Sequence, residues 1–400
     1  MEDTVEFIPG GGVTSPKGFR AGAAIARIKE QAEPRLDLGI IHSEVPCTAA
    51  AVFTANKVKA APIILSQERL QGGWVAAVVV NSGCANACTG DEGLADAAEM
   101  AELAAKHIGA PPGEVLVAST GVIGQRLPMA RVRDGINRVV LESDGGRDFA
   151  RAIMTTDTML KEVAVRAGDF IIGGVAKGSG MIHPNMATLL CFLTTDAAVG
   201  LDFLKSALRG AADASFNMVS IDGDTSTNDM LLIMANGLAG GRPIRGGGRG
   251  KLFQQVLHRV CIHLAKAIAR DGEGATKLLE ATVSGAASLA DARLAARAIV
   301  GSPLVKTAVH GCDPNWGRMV AAAGRSGAAL VLERVDLTIN GISLLEGGRP
   351  LPFDREAVMR SLGGSDITIA LNLNLGRASA TAWGCDLSEG YVRINSHYMT

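Results

Sequence analysis

Short apolar runs set apart by longer amphipathic stretches constrain this chain more than any other feature. Residues 75–80, 114–118, 170–176, 189–193 and 230–234 are runs of strand length and read as buried strands. Between them, residues 94–108 and 251–270 repeat apolar side chains at helical spacing, the second through Leu252, Val256, Leu257, Val260 and Leu264. Such stripes predict helices that cover one face of each sheet. The last third turns strand-rich: residues 367–375, 378–384 and 391–395 follow one another on tight connections and predict an antiparallel meander. The expected fold class is α/β, a layered mixed sandwich.

Four hundred residues exceed what one hydrophobic core usually absorbs, so two domains, or one large unit of two related halves, are expected. With 48% hydrophobic residues, only 4% aromatics and 49 glycines, the interior must be packed from Ala, Val, Leu and Ile around many turns. The 39 basic and 40 acidic side chains nearly cancel, leaving no field to gather nucleic acid or anionic membrane. Small-molecule substrates are the default that remains. No apolar run reaches the roughly 18 residues a membrane span needs, and the N-terminal MEDTVEFIPGGG is acidic where a signal peptide is basic. A cytoplasmic enzyme is therefore expected. Seven scattered cysteines are an odd number that argues against a disulfide framework. Cys84 and Cys88 have no second pair at ligand spacing, so no metal site is expected. The glycine-rich residues 242–250 (RPIRGGGRG) read as a mobile loop, and they lack the interleaved aromatics of an RNA-binding segment.

The densest set of chemically capable residues is Lys177-Gly-Ser-Gly-Met-Ile-His-Pro-Asn-Met-Ala-Thr188, between two predicted strands. Gly178 and Gly180 permit unusual backbone angles, Pro184 fixes one, and Ala187 sets a small residue before a hydroxyl. Such a segment either turns the chain into the next strand or presents a strained peptide for cleavage. In the second case the Thr188 hydroxyl attacks the Ala187 carbonyl, and hydrolysis frees a nucleophile beside its own α-amine. That amine, with a reference pKa of about 7.7 to 8.0, can take the hydroxyl proton near neutral pH. A phosphate loop is excluded because the glycine follows Lys177 instead of preceding it. His183 is a candidate base or a turn residue.

Residues 118–124 (ASTGVIG) end a predicted strand with small residues and read either as an ordinary glycine turn or as backbone N–H groups aimed outward as an oxyanion hole. Residues 222–229 (DGDTSTND) open like a calcium loop, but Thr227 stands at the sixth position and Ile233 at the twelfth, so that reading fails. In residues 271–277 (DGEGATK), Glu273 lies between glycines and is either a solvated cap or a carboxylate able to approach a ligand amine closely.

In order and in detail the chain resembles the ornithine acetyltransferases, also called the glutamate N-acetyltransferases of arginine biosynthesis. The resemblance runs through GGVTSPKGFRAG, NSGCANACTG, STGVIG, MTTDT, AKGSGMIHPNMATLL, SFNMVSIDGDTSTND, RDGEGATK, GCDPNWGR and YVRINSHYMT, nearly the whole length. It implies a precursor that cleaves itself between Ala187 and Thr188 into an α chain (1–187) and a β chain (188–400) that stay associated, two of each in the assembly. It implies a sandwich outwardly like the N-terminal nucleophile hydrolases but with its own connectivity. Thr188 would carry acetyl from N-acetylornithine to glutamate by a ping-pong route, with Thr120 and Gly121 as the oxyanion pair. The substrate-binding positions implied are Thr155, Lys177, Thr188, Glu273, Asn395 and Thr400. Lys177 suits a substrate carboxylate and Glu273 a substrate ammonium. No cofactor is implied, although acetyl-CoA is a possible second acetyl donor. The sequence departs from the family's usual residues at His183, Leu189 and Cys84, of which His183 bears most on cleavage and amine preference. The rival expectations are a self-processing aminopeptidase or amidase that hands the acyl group to water, and a non-catalytic binding protein of the same fold.

Overall fold

The structure, a computed structural model, describes residues 5–30, 33–183 and 189–397. Its chain falls into two compact units, one made of Met1–Gly178, Asn185–Asp213 and Thr225–Leu264, the other of Ser179–Pro184, Ala214–Asp224 and Ala265–Thr400. These units cut across the 1–187 and 188–400 segments.

The first unit is built on a nine-stranded sheet. From one edge it runs Val5–Phe7, Lys161–Ala167, Phe170–Lys177, Leu190–Thr195, Met230–Ala235, Leu38–Phe53, Trp74–Asn81 and Val115–Ser119, with Phe19–Ala24 also paired to Leu38–Phe53. All five predicted strands lie in it. Their unbroken apolar character follows from burial on both faces: along Trp74–Asn81, Val78 and Val80 enter one core cluster while Ala77 and Val79 enter another. Helices accordingly lie on both sides, where the sequence predicted one. Met100, Ala101 and Ala104 of Gly90–Ile108 and Val132 and Ile136 of Met129–Arg138 complete one cluster. Ile63 of Ala61–Arg69 and Phe149 of Gly146–Ala152 join the other. Gly90–Ile108 starts with Asp91 and Glu92, ends with Lys106 and His107, and stops at Gly109 with φ of 73°, an arrangement that complements the helix dipole and its left-handed cap.

The expected loop at 242–250 is in part helix: Gly247–Arg270 begins inside it. Arg249 anchors this start, donating to the Arg242 carbonyl at 3.1 Å and to Asp169 at 2.7 Å.

The second unit carries a seven-stranded sheet in the order Arg349–Pro350, Ile342–Glu346, Asp336–Ile339, Asp366–Asn372, Leu278–Ala286, Ala378–Cys385, Val219–Ser220. Helix Leu289–Val300, capped by Ser288 accepting from the Asp291 N–H, packs on Leu278–Ala286 and Ala378–Cys385. The predicted meander is corrected at two points. Asp366–Asn372 and Ala378–Cys385 do not pair with each other; Leu278–Ala286 lies between them, parallel to the first and antiparallel to the second. Their connection closes onto that central strand instead, through Leu373 N–H to Ser284 O at 2.9 Å and Leu375 N–H to Gly285 O at 2.7 Å. Residues 391–395 are helical, inside Glu389–Ser396, because the Ser388 hydroxyl accepts from the Gly390 N–H and starts a helix there.

Candidate active site

In the first unit, Trp74–Asn81 and Val115–Ser119 run parallel and end in register at Asn81 and Ser119. The turn beyond Ser119 is tied back to the loop after Asn81. Thr120 N–H donates to Asn81 O at 3.0 Å, Ala85 N–H to Val122 O at 2.9 Å, and Val122 N–H to Gly83 O at 3.3 Å. Asn228 clamps both loops, its side-chain amide donating to Ala85 O at 2.7 Å and Ser119 O at 2.9 Å. Gly121 has φ of +133°, and a Cβ there would lie 2.3 Å from the Gly83 carbonyl carbon and 2.5 Å from the Cys84 nitrogen. Only glycine fits so close a backbone approach. The expectation of backbone N–H groups aimed outward needs refining at Thr120, whose own N–H is taken up by Asn81. What Thr120 has to offer is its hydroxyl, which accepts from Lys177 Nζ at 3.3 Å.

Lys177 closes the strand Phe170–Lys177 and is buried, at 8% exposure. Near it, Asp157 accepts from Lys161 Nζ at 2.7 Å, the Gly178 N–H at 2.7 Å and the Thr155 N–H at 3.0 Å. Burial alone would raise the Asp157 carboxyl. The Lys177 and Lys161 ammonium groups and these hydrogen bonds outweigh it and hold the pKa down at about 2. The carboxylate is thus ionised, and two cations share it. Thr155 is fixed from both sides, since its carbonyl also accepts from Arg35 Nη1 at 2.9 Å. Asp157, Lys161 and Asn228 had no role in the sequence reading, although MTTDT and SFNMVSIDGDTSTND contain the first and the last. Thr188 and Ala187 lie outside the described residues. Leu189, which follows them, accepts from the Met230 N–H at 2.9 Å and leads into the strand Leu190–Thr195.

In the second unit, Glu273 is buried at 7% exposure, which overturns the solvated-cap alternative. Its N–H donates to Ser179 O at 2.8 Å, and its carboxylate accepts from Asn395 Nδ2 at 2.7 Å. Two expected binding residues therefore meet directly. Gly180 makes room for them, because a Cβ at that position would lie 2.4 Å from the Glu273 carboxyl carbon. The glycines flanking Glu273 are closely packed: a Cβ at Gly272 would meet Cys385 Sγ at 2.6 Å, and one at Gly274 the Tyr391 nitrogen at 2.4 Å. Asp222 accepts from the Met181 and Ile182 N–H groups at 2.5 and 2.9 Å, so the acid that suggested a calcium loop caps backbone instead. Burial, together with the Asp222 and Glu273 carboxylates, pushes the Tyr391 phenol well above its ordinary range. His183 is bonded through Nδ1 to Ser220 Oγ at 2.9 Å, and burial lowers its pKa. Thr400 lies outside the described residues.

The ArgJ family matches residues 20–400. The chain belongs to the ArgJ family. An arginine biosynthesis bifunctional protein ArgJ of Dehalococcoides mccartyi is 52% identical over 405 residues, covering 100% of both chains. One from Symbiobacterium thermophilum is 54% identical over 98% of this chain and 99% of its own. The solved ArgJ structure from Bacillus halodurans is 44% identical, with a TM-score of 0.50, over 51% of this chain and 97% of its own. Cys84 is buried with its thiol on Gln125 O at 3.3 Å, and Leu189 bonds through its backbone. Among the described residues no helix is long and apolar enough to cross a membrane.

Proposed function

We propose that this chain cleaves itself between Ala187 and Thr188 and then uses Thr188 to carry an acetyl group from N-acetylornithine to glutamate, recycling acetyl in arginine biosynthesis. The observation that carries the reading is the ArgJ-family match from residue 20 to residue 400. In the first half-reaction the Thr188 hydroxyl attacks the acetyl carbonyl, its proton passing to the α-amine and on to the departing ornithine amine. The Thr120 hydroxyl and the Gly121 N–H are assigned to the developing oxyanion, and the rigid turn that holds them supports this, since preorganised donors stabilise charge without reorganising. Glutamate then attacks the acetyl-threonine. Lys177 is assigned to a substrate carboxylate and Glu273, with Asn395, to a substrate ammonium. Thr155 and Thr400 complete the proposed contacts. Acetyl exchange between two amines is nearly balanced in energy and calls for no cofactor. Acetyl-CoA as a second donor accords with the word bifunctional in the relatives' names. The two chains are proposed to stay together, two of each in a cytoplasmic assembly. A solved relative that is matched over 97% of its length yet spans 51% of this chain has the length expected of one cleaved half.

The test is an intact-mass spectrum of the purified protein, repeated after N-acetylornithine and again after glutamate. The expected result is two fragments split before Thr188, the C-terminal one gaining an acetyl group that glutamate removes. A single unmodified chain would refute the reading, and acetyl lost to water as fast without glutamate would favour the aminopeptidase-like alternative.

A further inference from the structure

Within the second unit, the motifs RDGEGATK and GCDPNWGR bring a lysine and a cysteine into a contact that the proposed acetyl transfer does not use. Lys277 is buried at 9% exposure, and its Nζ donates to Val309 O at 2.7 Å, His310 O at 3.2 Å and Cys312 Sγ at 3.1 Å. The two carbonyls close the helix Pro303–His310, where a cation is favoured. Capping that helix calls for no thiol, yet Cys312 adopts a left-handed backbone, with φ of 54°, that is costly for a residue other than glycine. The wholly buried Asp386 carboxylate fixes both sides of the contact. Its Oδ1 accepts from the Thr276 and Lys277 N–H groups at 2.7 and 2.8 Å, and its Oδ2 bonds the Thr276 hydroxyl at 2.6 Å and His310 Nδ1 at 2.7 Å. Amine and sulfur are thus held together by backbone that is itself anchored, the condition under which two groups react as one molecule. Reactive cysteines sit in electropositive, partly exposed surroundings, whereas buried ones are inert. Cys312 is half-buried beside the Lys277 ammonium and meets both conditions. A second pair in this unit does not: Lys306 Nζ lies 3.6 Å from Cys385 Sγ, but the two residues are sealed, at 2% and 1% exposure.

We propose that Lys277 and Cys312 form a reversible oxidative modification site, at which a peroxide joins Nζ to Sγ. The Cys312 sulfur first gives two electrons to the peroxide, yielding a sulfenic acid and one water. Lys277, having released a proton to solvent, then attacks that sulfur with its nitrogen lone pair. The S–N bond forms as the S–O bond breaks, and the hydroxyl leaves with a second amine proton as water. The product is a sulfenamide, which a thiol reductant returns to amine and thiol. It closes a loop between positions 35 residues apart and ties the turn that begins at Glu273 to the end of the helix Pro303–His310. Both residues follow the proposed cut, so the link needs neither cleavage nor acetyl transfer.

The purified protein, first reduced, is treated with hydrogen peroxide, digested with trypsin without reductant and mapped by mass, for wild type, Cys312→Ser and Lys277→Arg. In wild type the peptides holding Lys277 and Cys312 are expected to appear joined, two hydrogens lighter than their sum, uncut after Lys277 and separated again by a thiol. Both variants are expected to lose the joined species, and Lys277→Arg, which keeps the cation without the amine, to accumulate a Cys312 sulfenic acid that a sulfenic-acid trap captures. Closing the loop constrains the unfolded chain, so peroxide is expected to raise the thermal unfolding midpoint of wild type and not of Cys312→Ser. A wild-type Cys312 that stays reduced, goes to sulfinic acid or enters a disulfide overturns the proposal. So does a Lys306–Cys385 link formed as readily, since mere contact would then suffice. If Lys277→Arg does not fold, the wild-type map and the Cys312→Ser midpoint decide: an absent joined peptide, or the same midpoint shift in both, refutes the link.

Discussion

Asp157 and Lys161 pair Oδ1 to Nζ at 2.7 Å with neither side chain touching solvent. The same carboxylate takes the Gly178 N–H, the first backbone donor after Lys177. The pair is thus the counter-charge on which the end of the Lys177 strand is built. Removing one partner of a buried pair leaves an uncompensated charge, at a cost of about 3–5 kcal/mol. Asp157→Asn is expected to lose about that much stability by urea unfolding at pH 7 and to lower acetyl transfer; unaltered stability would show the pair to be dispensable.

The pH dependence of this pair has a definite sign. The folded-state pKa of Asp157 lies at about 2, below its ordinary value of 3.8. Its contribution is therefore fully present above pH 3.8 and is lost as pH falls through about 2, amounting to about 2 kcal/mol. Unfolding curves of wild type and Asp157→Asn should converge across that acid window. Parallel curves would contradict the assignment.

Gly121→Ala tests the turn. The added methyl must displace the Gly83 backbone or move the Gly121 N–H, and mislaying one oxyanion donor costs about 10²- to 10³-fold in kcat. A variant with full kcat would remove Gly121 from the proposed oxyanion pair.

Glu273→Gln preserves size and leaves an amide oxygen for Asn395 but deletes the negative charge. Hydrogen bonds to charged groups contribute about 1.5–3 kcal/mol, so KM for N-acetylornithine is expected to rise at least about 10-fold while self-cleavage proceeds. Unchanged KM would mean that Glu273 serves packing alone.

Deleting Thr400 is expected to weaken substrate use and spare cleavage, measured as kcat/KM beside the fraction cut. Unchanged kinetics would take the C-terminal residue out of the proposed site.

What the sequence made legible followed from patterns that local physics decides. The five buried runs became strands of a sheet covered on both faces, where unbroken apolar character is what such strands require. The turn at Thr120 and Gly121 was visible because small residues ended such a run. Three things were not legible. The insertion of Leu278–Ala286 between Asp366–Asn372 and Ala378–Cys385 is a long-range pairing that adjacency in sequence hides. Residues 391–395 alternate like a strand until the Ser388 cap is seen to start a helix. Asp157 and Asn228 work through partners as far off in sequence as Lys177 and Ser119, so no local spacing marks them.

The strand order of the first unit decides what a cut before residue 188 can undo. Leu190–Thr195 is hydrogen-bonded along one edge to Phe170–Lys177, and Met230–Ala235 along one edge to Leu38–Phe53. Two neighbouring strands from beyond the cut are thus flanked on both sides by strands from before it. Separating the pieces means unzipping two full ladders in the interior of one sheet, an event equivalent to unfolding. Processed chains should therefore not exchange partners between molecules, and each should remain for life with the piece it was synthesised beside.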